Sequence, residues 1–66
     1  MQAQRKGAVV AMTPSQKAAE LVSMHGIDGA YKICGANAER HKSGSDAWVF
    51  WMRVNVQVGE IHKASR

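Results

Sequence analysis

The apolar positions after Thr13 predict a first helix over 14–25. They recur at i, i+3, i+4 and i+7, a spacing that places them on one face of a helix. These positions are Ala18, Leu21, Val22 and His25. Thr13 can cap this helix, a proline suits its first position, and Gln16 stands where a capping-box partner belongs. Gly26 is expected to end the helix, because glycine enters the left-handed region at little cost.

A second helix is predicted over 29–42, from a cap at Asp28 to a stop at Gly44. Its apolar positions share one side of a helix, with Ile33 on a flank. They are Ala30, Tyr31, Cys34, Ala38 and His41. With Ser45 or Asp46 as its cap, a third helix is predicted over 47–62.

The segment 47–62 combines features of a strand and of a helix. Residues 54–58 alternate between valine and polar side chains, as a half-buried strand would. Such a strand could pair only with residues 8–12, and an isolated two-stranded ribbon is weak. As a helix, the segment places six apolar residues within an arc of about 100°. They are Ala47, Phe50, Trp51, Val54, Val58 and Ile61. We therefore predict a helix.

Together these patterns predict an all-α fold, a small three-helix bundle over 13–66. Residues 1–12 lack a helical period and are expected to form a flexible basic N-terminal arm. The expected core consists of Leu21, Val22, Ile33, Cys34, Ala38, Phe50, Trp51, Val54, Val58 and Ile61.

The third helix carries a second group of apolar residues away from its core face. They are Trp48, Val49, Met52 and Val56. Two explanations remain open. Either the helix is central and packs on one neighbouring helix with each face, or the second face binds another protein or a second copy of the chain. Tryptophan and methionine are enriched at protein interfaces, so in the second case Trp48 is the predicted anchor.

Three motifs follow one another along 18–58. They are Leu21-Val22-x-x-His25-Gly26-x-x-Gly29-Ala30, Ala36-x-Ala38-Glu39 and Ser43-Gly44-Ser45-Asp46-Ala47-x-x-Phe50-Trp51-x-x-Val54. In this order they resemble a group of short proteobacterial proteins with no known activity. That group shares a His-Gly helix end, an alanine-rich second helix and a Gly-Asp turn before an aromatic-Trp helix. The resemblance implies an all-helical fold and no particular chemistry. The present chain departs from it by inserting Ser45 into the turn.

The balance of charge permits nucleic-acid binding as an alternative function. The 66 residues carry a net charge of +4, with a pI near 9.7. The basic excess lies towards the two ends, and the middle of the chain mixes both signs. In the alternative, the first two helices form a helix-turn-helix whose second helix, 29–42, contacts DNA. Its candidate contacts are Lys32, Arg40 and Lys42.

The reactive side chains do not follow a catalytic or metal-binding pattern. Cys34 and His41 are seven residues apart on one predicted helix, a rise of about 10.5 Å. A thiol–imidazole pair needs contact at about 3 Å. His25 and His62 lack the closely spaced partner ligands that zinc sites use. We expect no enzymatic activity, no cofactor or metal, and no small-molecule substrate.

These observations predict a small non-catalytic protein-binding or accessory module of bacterial or phage origin. A single cysteine is typical of the reducing cytoplasm, and the longest apolar run is far shorter than the roughly 20 residues of a membrane helix. The expected partner is another protein or a second copy of the chain, in a possible homodimer, acting through the second apolar face of the third helix.

Overall fold

The computed structural model describes residues 12–65, which form a helical hairpin. Helix α1 spans Pro14–Glu39 and helix α2 spans Asp46–Ser65, with no strand among the described residues. The predicted three-helix bundle is wrong, because the first two predicted helices belong to the single element α1. Apart from Met12, the expected N-terminal arm lies outside the described residues.

The start of α1 is fixed by the capping box that the sequence predicted. The backbone N–H of Gln16 donates to Thr13 Oγ1 at 3.1 Å. In return, the backbone N–H of Thr13 donates to Gln16 Oε1 at 2.9 Å. Pro14 occupies the first helical position, where its missing N–H removes no helical hydrogen bond.

Gly26 interrupts α1 without ending it, which explains why the three-helix prediction failed. Its φ of 79° is positive, which favours glycine, but its ψ of 173° lies outside the left-handed helical region that the predicted helix end required. The chain returns to helix at once, and no connecting loop separates the two halves. The second half of α1 lies close to the end of the first half. A Cβ built on Gly29 would lie only 2.8 Å from His25 Cβ. The single element therefore contains a sharp kink.

A short connection over 40–45 reverses the chain between the two helices. Gly44 adopts a φ of 88°, which glycine tolerates without strain. The backbone N–H of Trp48 donates to Ser45 Oγ at 3.2 Å, so Ser45 caps α2 as expected. The helix then continues through 54–58, which excludes the strand that alternating valines had suggested.

The core lies where the inner face of α2 meets both halves of α1. Val54 and Val58 are completely buried there. The buried cluster consists of Ala18, Leu21, Ala30, Cys34, Val54 and Val58. Five half-buried residues of the predicted core pack against it, and these are Val22, Ile33, Phe50, Trp51 and Ile61. The tenth predicted member, Ala38, is also buried.

Neither of the two described helices combines the length and apolar character required to cross a membrane.

Candidate protein-binding surface

The side of α2 turned away from the core carries a row of three apolar residues. Trp48, Met52 and Val56 are spaced four residues apart, which aligns their side chains along one side of a helix. At 100° per residue, this row lies roughly 140° around the helix from Val54 and Val58. We call the row, together with Val49 beside it, the outer face.

The outer face is open at its middle and partly covered at its beginning. Val56 exposes 58% of its surface and Met52 exposes 38%. Trp48 and Val49, in the first turn of α2, are half-buried. Both halves of α1 contact the inner face, so within residues 12–65 no second helix covers the outer face as the central-helix explanation required.

Tyr31 borders the outer face from the second half of α1. Its hydroxyl lies where a side chain on Gly59 would project, 3.2 Å from the position of a Cβ there. Gly59 is three residues beyond Val56 and therefore lies on the same side of α2. Tyr31 is 37% exposed, so it extends the apolar surface beyond α2 itself. The sequence pattern placed Tyr31 on an apolar helix side without indicating this contact.

A shallow groove of about 460 Å³ lies beside the opposite edge of the outer face. It is lined by Thr13, Pro14, Ser15, Arg53, Val56 and Gln57. Val56 belongs to both the groove and the outer face. The other groove residues are mostly polar, and Arg53 and Gln57 come from the flank of α2. The apolar face therefore has a polar rim on this side, which is the usual arrangement of a protein interface.

Cys34 is a packed core residue in this structure. Only 1% of its surface is exposed, and this burial raises the pKa of its thiol. A raised pKa keeps the sulfur protonated and unreactive at neutral pH. His41, which the sequence placed on the same helix, lies beyond the end of α1 and is exposed. The two side chains therefore occupy different environments.

The three histidines are exposed. His25 was predicted on the core side of the first helix, but the kink at Gly26 leaves it on the surface. Among residues 12–65, no three side chains of the His, Cys, Asp or Glu type are grouped closely enough to hold a metal ion.

The basic residues of the DNA-binding alternative are exposed but do not share one helix. Lys32 lies within α1, whereas Arg40 caps its end and Lys42 lies in the connection. The predicted turn and separate helix 29–42 are replaced by a kink at Gly26, after which the chain is helical again at once and continues to Glu39. Residues 12–65 hold six basic and five acidic side chains, a net charge of +1 with histidines neutral.

No protein-family model, curated protein or solved structure gives a significant match to this chain. The resemblance to short proteobacterial helical proteins therefore stays a prediction, and the site is interpreted from its own geometry.

Proposed function

We propose that this protein is a non-catalytic binding module that recognises protein through the outer face of α2. One observation carries the proposal: α2 has apolar residues on two sides, and the buried cluster forms on only one of them, while Met52 and Val56 on the other stay exposed. An apolar row that contributes nothing to the core weakens solubility unless another surface covers it.

The composition of the outer face supports a protein partner. Trp48 and Met52 belong to the residue types that are enriched at interfaces, and aromatic anchors supply much of the binding free energy there. The backbone of Trp48 is held in the first turn of α2 by its hydrogen bond to Ser45 Oγ, so binding would not have to order this turn. Arg53 and Gln57 would then supply polar contacts at the rim.

Nucleic-acid binding receives less support from the same structure. Duplex DNA recognition relies on several basic side chains that contact phosphates together. Of the six described basic residues, Lys17 pairs with Glu20 at 2.8 Å and Lys63 lies 3.9 Å from Glu60. The rest are distributed over α1, the connection and α2. We also assign the protein to the cytoplasm as part of this proposal, since a single cysteine in 66 residues is typical of chains from a reducing compartment.

The proposal is tested by comparing two methionine variants of the full chain. Met52→Glu introduces a charge into the outer face, whereas Met24→Glu does the same at a 67% exposed methionine of α1. Each variant is immobilised and exposed to extract from the encoding organism, to purified wild-type chain and to duplex DNA. We expect bound protein to be retained on Met24→Glu and lost on Met52→Glu.

Two results would contradict the proposal. One is a protein partner that Met52→Glu holds as well as wild type, because the outer face would then be irrelevant. The other is duplex DNA that is retained with a steep salt dependence and is released by Lys32→Ala. Far-UV circular dichroism of each variant verifies that the helical fold is kept.

A further inference from the structure

We infer that the protein bound by the outer face is a second copy of the same chain, joined in an antiparallel, two-fold symmetric dimer through α2. This inference rests on the proposed function and identifies its partner. The row of Trp48, Met52 and Val56 is the centre of the interface, with Met52 next to the symmetry axis.

The first reason is the small size of the core. The largest fully buried side chains are two valines and a cysteine, and no aromatic side chain is fully buried among residues 12–65. A single core in a chain below about 70–80 residues supplies only a few kcal/mol, and association is one of the ways in which such chains gain further stability. The single cysteine cannot make a disulfide within the chain. A second copy is present wherever the chain is made, so it can provide this stabilisation without a further component.

The second reason is that the row is complementary to itself. In a two-fold dimer each contact occurs twice, so residue i of one copy meets residue j of the other and the reverse. The row has equal four-residue spacing on both sides of Met52. Two antiparallel copies therefore bring Trp48 of each beside Val56 of the other. Rows of this spacing pack side by side when two helices cross at about 50°, the commonest helix-packing geometry.

The third reason is the available area. Fully exposed side chains of these types present about 100–250 Å² each, so the open parts of Val56, Met52, Tyr31 and the half-buried Trp48 amount to about 300 Å² per copy. Apolar atoms form about 60% of an interface, which gives about 1,000 Å² buried in total. That value is near the lower limit for a specific interface. The expected dimer is therefore weak, with a Kd on the order of micromolar.

The charges at the ends of α2 favour the antiparallel direction. Asp46 lies in its first turn, and His62 and Lys63 lie in its last turn. An antiparallel pair places the acidic end of one helix on the same side as the basic end of the other. A parallel pair would instead oppose Asp46 to Asp46, whereas at the other end Glu60, 3.9 Å away, partly offsets the charge of Lys63. Exposed charges add little affinity, but they discriminate between orientations.

The mass of the full-length chain in solution tests this inference directly. Light scattering after size exclusion, from a few micromolar to several hundred micromolar, is expected to follow a change from monomer to dimer. Met52→Glu is expected to raise the dimer Kd about 30-fold or more, and Met24→Glu to leave it unchanged. A monomer at every concentration overturns the inference, and so does a dimer that Met52→Glu does not weaken.

A disulfide experiment tests the position of the symmetry axis. In a Cys34→Ala background, Met52→Cys should form a disulfide-linked dimer under mild oxidation far faster than Met24→Cys. Equal rates for the two positions would overturn the proposed interface even if a dimer exists. A third outcome is a monomer in which Met52 becomes accessible only after residues 1–11 are deleted. The chain would then cover its own outer face, and the inference would fail.

Failure of this inference can be distinguished from failure of the proposed function. A strict monomer that still binds a different protein through Met52 excludes the second copy and retains the binding module. Loss of both self-association and all Met52-dependent capture removes both proposals together.

Discussion

The two sides of α2 have similar composition and different surroundings. The inner side presents Val54 and Val58 to both halves of α1, and both side chains are completely buried. The outer side presents Met52 and Val56, which remain open to solvent in the hairpin. Both sides have the periodicity of a helix face, so periodicity alone does not distinguish a core face from a binding face.

What separates the two sides is the path of α1. The kink at Gly26 turns the second half of α1, so that Ala30 and Cys34 join Ala18 and Leu21 in one cluster against the inner side of α2. Small alanine side chains allow the helices to approach closely. Two separate helices joined by a loop could have covered both sides of α2. The difference in burial between the two sides of α2 therefore depends on the backbone conformation of Gly26 in α1.

The largest expected effect comes from placing a carboxylate on each side of α2. Val54→Asp buries a charge with no partner and should lower the free energy of unfolding by about 4 kcal/mol or more, enough to unfold so small a protein. In dilute, monomeric protein, Val56→Asp places the same group at an exposed position and should change the free energy of unfolding by less than about 0.5 kcal/mol. Urea unfolding monitored by circular dichroism measures both. Similar losses for the two variants would show that the outer side belongs to the core.

The two tryptophans should separate stability from binding. Trp51 packs against the buried cluster and meets Phe50 edge to face, with ring centroids 5.5 Å apart. Trp51→Ala should therefore lower the free energy of unfolding by about 2–3 kcal/mol. Trp48→Ala should instead weaken binding by about 2 kcal/mol while the protein stays folded. Calorimetric unfolding and a binding titration distinguish these results. Unfolding of the Trp48 variant would assign that residue to the core.

Two glycines of α1 should respond in opposite directions to replacement by alanine. At Gly35 no atom lies within 4 Å of the position that a Cβ would take, so Gly35→Ala should stabilise the helix by about 0.5–1 kcal/mol. A Cβ at Gly29 would lie 2.8 Å from His25 Cβ, so Gly29→Ala should destabilise the protein by about 1 kcal/mol or more. Thermal melts of the two variants measure the difference. Equal stabilisation by both would contradict the close return of the chain after the kink.

The smallest expected effect is a loss of stability at alkaline pH, caused by ionisation of Cys34 in the core beneath the inner side of α2. Burial raises the pKa of the Cys34 thiol in the folded protein, above the ordinary value of about 8.5. The unfolded chain then releases this proton at a lower pH than the folded chain. The stability that this thiol contributes is fully present below its pKa in the unfolded chain. It is lost as the pH rises through its pKa in the folded protein. Urea midpoints across pH 7–10 should fall less steeply for Cys34→Ala than for wild type.

The sequence identified local features reliably because they depend on near neighbours. The Thr13 cap, a break in the helix at Gly26, a cap for α2 at Ser45 or Asp46 and most of the core follow from spacing within one or two helical turns. The arrangement of the helices did not follow, since whether Gly26 ends a helix or kinks it depends on what the next segment packs against. For the same reason, the pattern could identify the outer face but could not indicate that it lies open.

Some features of the surface gave only a weak signal in the sequence. Gly59 lies inside α2, and the structure places the Tyr31 hydroxyl 3.2 Å from the position that a Cβ there would take. Gly35, equally internal to a helix, has open space around it. A glycine in a helix therefore does not by itself identify a packing site.

Solvent access at the methionine methyl groups most directly tests whether the outer face is a binding surface. Met24 and Met52 report from α1 and from the outer face of α2, and their methyl signals can be followed by NMR with a soluble paramagnetic reagent. We predict that both signals broaden in dilute protein, and that only Met52 becomes protected as concentration rises or a partner is added. Protection of Met52 at every dilution, or equal broadening of both under all conditions, would contradict a binding role for this face.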